Sequence, residues 1–167
     1  KRKRQPEKTP IVEIGRSSED NPIYAVCLGD GDFRKPELLF LSGVHPMEYI
    51  APRMSLEVLR AAAAQEKDSR LGQMLTQMNV WFLPALNPDG YIRAQRQLVS
   101  PPGIVYNRKN ARGVDLNRNF PVAFYKHAYT AKPFAGSMIP FSPYHRGKEP
   151  CSEPESRAFR DFVFGRN

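Results

Sequence analysis

Three segments of this 167-residue chain carry residue types whose spacing could do chemistry. Asp115-Leu116-Asn117-Arg118-Asn119-Phe120-Pro121 crowds an acid, two amides and a guanidinium into a few positions. So many planar hydrogen-bonding groups make poor core material. They suit a loop that grips an anion, because arginine offers a rigid donor fork matching a carboxylate; they equally suit a solvated turn at a helix start. In Leu41-Ser42-Gly43-Val44-His45-Pro46-Met47-Glu48, an apolar run ends in Ser-Gly and then presents a histidine and a glutamate three residues apart. Imidazole nitrogen and carboxylate oxygen are both good zinc ligands, although His-x-x-Glu is also a common surface pair. The third segment, Val80 to Tyr91, is an apolar run that closes in Asn87-Pro88-Asp89-Gly90. Proline fixes its own φ and glycine accepts positive φ, so Pro88 and Gly90 read as loop punctuation.

In this order the segments resemble the zinc metallocarboxypeptidases, the carboxypeptidase A/B-like peptidases. The resemblance rests on His-Pro-Met-Glu at 45–48, Leu-Asn-Pro-Asp-Gly-Tyr at 86–91, and Asn-Arg-Lys-Asn followed by Gly-Val-Asp-Leu-Asn-Arg-Asn-Phe-Pro within 107–121. Ser-Glu-Pro-Glu at 152–155, after Tyr144 and Gly147, completes it. It covers the chain from about Ile11 onward and implies residue roles. His45 and Glu48 match the first two zinc ligands. Asn117 and Arg118 match the pair that holds a substrate's C-terminal carboxylate. Arg108 matches the catalytic arginine, which also contacts substrate as it polarises the scissile carbonyl. Implied with them are Zn2+ as cofactor, a peptide with a free C-terminal carboxylate as substrate, and an extracytoplasmic or secreted setting. The implied activity is hydrolysis of a C-terminal peptide bond. Two alternatives share the resemblance: a peptidase of the same fold that trims bacterial cell-wall (murein) peptides, and an inactive carboxylate-binding pseudo-enzyme.

The chain departs from the family pattern in places. Met47 stands where many members carry a substrate-contacting arginine. The family's third zinc ligand is a histidine beyond the Ser-Glu-Pro-Glu segment, whereas His127 and His145 both precede it and read as structural. No residue matches the family's general base or capping tyrosine. Residues 11–167 are therefore expected to form the N-terminal portion of a catalytic domain, incomplete at the C-terminal side and completed by a further segment or chain.

The elements that must position these residues read as α/β. Strands are expected at 11–15, 22–28, 37–41 and 80–83, with 37–41 central and buried. Helices are expected at 49–66, 69–77 and 156–164, the last opened by a Ser152–Glu155 capping box and closed by Gly165. Residues 92–114 and 130–150 read as long irregular segments. The implied fold is a mixed β-sheet flanked by helices.

Net charge is +8, and Lys1-Arg2-Lys3-Arg4 supplies half of it. Residues 1–10 read as a basic flexible end. No aromatic residue is interleaved with that run and no nucleic-acid-binding motif follows it, so a nucleic-acid partner is not expected. Arg93, Arg96, Arg108, Lys109, Arg112 and Arg118 gather in the segment around the candidate site and suit a carboxylate substrate. No apolar run approaches the roughly 20 residues that span a bilayer. Cys27 reads as a buried strand thiol and Cys151 as a loop thiol.

Overall fold

The computed structural model describes residues 10–101, 103, 105–122, 124–125 and 136–165. The basic run at 1–4 and His127 lie outside the described residues. Four strands form one mixed sheet in the order β1-β2-β4-β3: β1 is Ile11–Arg16, β2 Pro22–Leu28, β3 Glu37–Leu41 and β4 Asn79–Leu83. β2 pairs antiparallel with β1 and β4, while β3 runs parallel to β4. The expected mixed sheet with flanking helices is present.

Strand alternation divides the core between two faces. Ile23, Ala25 and Cys27 of β2 and Trp81 and Leu83 of β4 point one way. There they meet Leu86, Leu116 and helix α4, Pro154–Phe164. Phe162 of α4 sits edge-on to Trp81, and Phe159 edge-on to Phe120. Leu28, Val80 and Phe82 point the other way, onto Leu59 and Ala62 of α1, Ile50–Ala63, and Leu75 of α2, Arg70–Leu75. Ser69 caps α2 by accepting from the Gly72 amide. No helix among the described residues is long and apolar enough to cross a membrane.

Three expectations are corrected here. β3 is an edge strand among the described residues, not a central one, and Leu38 and Phe40 are 43% and 48% exposed. Its apolar letters could not distinguish an interior strand from an edge; β2 and β4 are interior, and β4 is buried along its whole length. Asn87 to Gly90 is not loop punctuation but the start of α3, Pro88–Leu98, which takes up the first part of the expected irregular segment. Asn87 is its N-cap, accepting from the Gly90 amide at 2.9 Å, and Pro88 occupies the first helical turn, where its missing N–H costs nothing. The Ser152–Glu155 capping box does not form. Glu153 is the N-cap of α4, and Glu155 is fully buried, accepting from the Ser18 amide and hydroxyl and from Asn110 Nδ2.

The α3 N-terminus positions the histidine turn. A Cβ on Gly90 would stand 2.5 Å from Pro46 Cγ and under 3 Å from the Asn87 amide. Asn87 Nδ2 also reaches the carbonyls of Val44 and Lys109, joining the segments on either side. Gly90→Ala is therefore expected to overpack this contact at a cost of about 2 kcal/mol, read as a lowered urea midpoint. Ala94→Gly on the same helix lacks that clash and should be milder, about 1 kcal/mol.

Candidate active site

After β3, Gly43 turns the chain with φ +62, and a Cβ there would stand 2.8 Å from Ala85 Cα. Glycine is required at this point by both conformation and space. The chain then enters a 3₁₀ turn, Pro46–Glu48, anchored by Met47 N–H donating to Asn107 O at 3.0 Å. On this turn His45 Nδ1 faces Glu48 Oε1 at 2.8 Å. The other imidazole nitrogen, Nε2, lies 3.0 Å from Asp115 Oδ1. Asp115 is fully buried and holds Arg108 through its second oxygen, with Nε and Nη2 each at 3.2 Å.

Asp115 is also the N-cap of a second 3₁₀ turn, Leu116–Arg118, accepting from the Asn117 amide at 3.1 Å. That turn carries Asn117, whose side chain is exposed, and Arg118 beside it. The guanidinium carbons of Arg108 and Arg118 lie 5.1 Å and 5.9 Å from the centre of one ring, Tyr144. His45, Glu48, Arg108 and Arg118 therefore converge, with Asp115 and Tyr144 as the joints between them.

Burial opposes a charged imidazolium at His45, but the carboxylates of Asp115 and Glu48 outweigh it and raise its pKa above the ordinary value. Burial likewise pushes the Asp115 carboxyl up, yet His45, Arg108 and Arg118 together hold it below the usual carboxylate range. Among the described residues, no three His, Cys, Asp or Glu side chains form a group that could hold a metal. The His45–Glu48 pair suits two positions of a zinc site. It offers one nitrogen and one oxygen from a single turn, and a carboxylate engages the far side of the imidazole, as metal-ligating histidines require.

His145 joins no group that could hold a metal among the described residues; its Nδ1 lies against Ser137 O at 3.2 Å. Of the other basic residues expected around the site, Arg93 pairs instead with Glu19, and Lys109 Nζ donates to Pro140 O. Cys27 and Cys151 are both buried and are not joined in a disulfide. Sequence reasoning assigned no role to Asp115 beyond its place in the motif, and none to Tyr144. Asp115 reaches its histidine partner across 70 residues, a separation no local pattern reports.

The zinc carboxypeptidase profile matches residues 1–167. Mast cell carboxypeptidase A of Mus musculus is 30% identical over 168 aligned residues, which take in 96% of this chain and 37% of that protein. Carboxypeptidase A from Helicoverpa armigera superposes with a TM-score of 0.68 at 26% identity, over 93% of this chain and 37% of its own. Thrombin activatable fibrinolysis inhibitor, 24% identical, shares the fold with a TM-score of 0.72, over 96% of this chain and 41% of its own. The chain thus spans roughly two fifths of the length of these proteins. With the profile matched along its whole length and these relatives aligned over nearly all of it, the chain belongs to the zinc carboxypeptidase family.

Proposed function

We propose that this chain supplies the first two zinc ligands and the carboxylate clamp of a metallocarboxypeptidase that hydrolyses C-terminal peptide bonds. The observation that carries the reading is the convergence of the His45–Glu48 pair with Arg108 and Arg118 through Asp115 and Tyr144. When bound, zinc lowers the pKa of a water and polarises a carbonyl. Arg118 and Asn117 read a free C-terminus, since a forked cation and an amide match a planar anion. The clamp confines cleavage to the chain end. Arg108, held by Asp115 beside His45, stabilises the negative charge that develops on the carbonyl oxygen more than it stabilises the ground state. In this reading a complementing segment or chain brings the third ligand and the base that accepts the water's proton, and the whole protein works outside the cytoplasm.

N-acetylphenylalanine and its amide, titrated against the 167-residue chain by NMR, test the clamp. The acid should bind in preference to the amide, and Arg118→Ala should erase the preference, weakening the acid about tenfold. Equal binding of acid and amide would remove the clamp from the reading. Zinc binding, followed by competition with a chromogenic chelator, should be weak in this chain and absent in His45→Ala. Cell-wall stem peptides in the same titration separate the murein-trimming alternative.

A further inference from the structure

We propose that Tyr144 is a positioning residue: its ring is the shelf on which the two site arginines are held at a fixed spacing. The inference rests on the clamp reading above and deepens it. Two guanidiniums in one site repel each other, and a long arginine side chain has many rotamers to lose when it is held. The electron-rich face of an aromatic ring attracts both, and here one ring serves two: Arg108 at 5.1 Å and Arg118 at 5.9 Å.

The backbone that carries the ring is itself held. Tyr144 O accepts from Ser137 N at 2.8 Å, and Ser137 O accepts from Arg146 N at 2.9 Å, so residues 137 and 144–146 form a closed strap. His145 O accepts from Asp115 N at 2.7 Å, fixing the strap to the residue that caps the Arg118 turn. Lys109 Nζ donates to Pro140 O at 3.1 Å, tying the tip of the strap to the neighbour of Arg108. Gly136 completes the enclosure, with Arg118 Cδ 3.6 Å from the place of its missing Cβ. The strap is thus bonded next to each arginine, with the tyrosine ring between the two anchor points. Its role is indirect: it sets the distance between the guanidinium that meets the carboxylate and the one that meets the scissile carbonyl.

The test compares Tyr144→Phe with Tyr144→Leu in the 167-residue chain, using two readouts. In the unliganded chain, ring currents should shift the Arg108 and Arg118 side-chain Nε–H signals, and Phe should preserve those shifts while Leu abolishes them. Absence of the shifts in the wild type, or their survival in Leu, overturns the stacking whatever the ligand does. In the second readout, N-acetylphenylalanine should bind Phe as it binds wild type and Leu about tenfold more weakly. The amide should bind all three alike, which a general loss of folding would not produce. Full affinity in Leu, or an equal loss in Phe, overturns the positioning role. If wild type fails to prefer acid over amide while the ring-current shifts are present, the clamp reading is what has failed, and the role falls with it.

Discussion

Asn119→Ala is expected to destabilise the chain by about 4 kcal/mol, read as a drop in the denaturant midpoint at unchanged m-value. Asn119 is fully buried. Its Nδ2 lies within reach of Arg146 O at 2.8 Å, Glu149 O at 3.2 Å and Ser152 Oγ at 2.9 Å. Its Oδ1 accepts from the Glu153 amide at 3.2 Å and from the Ser156 hydroxyl. Glu153 gives α4 no side-chain cap of its own, so the helix is capped from a distance by Asn119. Alanine would strand the Glu153 N–H and at least one carbonyl away from water. Each orphaned group costs about 1–3 kcal/mol, beyond the bonds themselves. The loss reaches the core, because α4 brings Phe159 and Phe162 onto the sheet. Asn117→Ala, two residues earlier, is the control. Its side chain is exposed, so stability should move by no more than about 0.5 kcal/mol while the acid-over-amide preference falls. A small Asn119 effect would mean that α4 holds its start without this amide.

That contrast shows where the letters were informative and where they ran out. The strands and the helices α1, α2 and α4 were legible because apolar period is a local signal, whereas α3 was not. Val80 to Leu83 reads as buried and is, and α1 falls within the expected span, shortened at both ends. The edge position of β3 was not legible, since strand order depends on which partners arrive from elsewhere. Asn87-Pro88 illustrates a different limit. An amide before a proline opens both turns and helices, and only its tertiary neighbours decide between them. Ser152 and Glu155 carried the right spacing for a capping box, yet Ser18 and Asn110 won Glu155, from 137 and 45 residues away. At the site, the residues that the motifs singled out, His45, Glu48, Arg108 and Arg118, do lie together. Their joints were not legible: Asp115 looked like one polar residue of a dense loop, and Tyr144 lay in a segment without pattern.

Asp115→Ala should cost about as much stability as losing Asn119, and should disturb the site itself more. One buried carboxylate meets four groups: His45 Nε2 and the Asn117 amide on one oxygen, and Arg108 Nε and Nη2 on the other. Without it, Arg108 Nη2 and His45 Nε2, 3.1 Å apart, would face each other with no anion between them. Removing one partner of a buried ion pair typically costs about 3–5 kcal/mol, even where the intact pair adds little net stability; the partial exposure of Arg108 places this case at the lower end. Asp115→Asn separates charge from shape. With its amide oxygen still facing Asn117 and His45, its NH2 would confront the donors of Arg108, so about half of the loss should remain. The zinc readout should respond more sharply. A carboxylate behind a metal-ligating imidazole orients the ring and raises its basicity, and its loss typically weakens metal binding about 10- to 100-fold. Chelator competition on Asp115→Asn should show that drop in a protein that is still folded by circular dichroism. Wild-type zinc affinity in this variant would mean that His45 is oriented by the turn alone, and that the buried carboxylate serves Arg108 and the Arg118 turn without serving the metal.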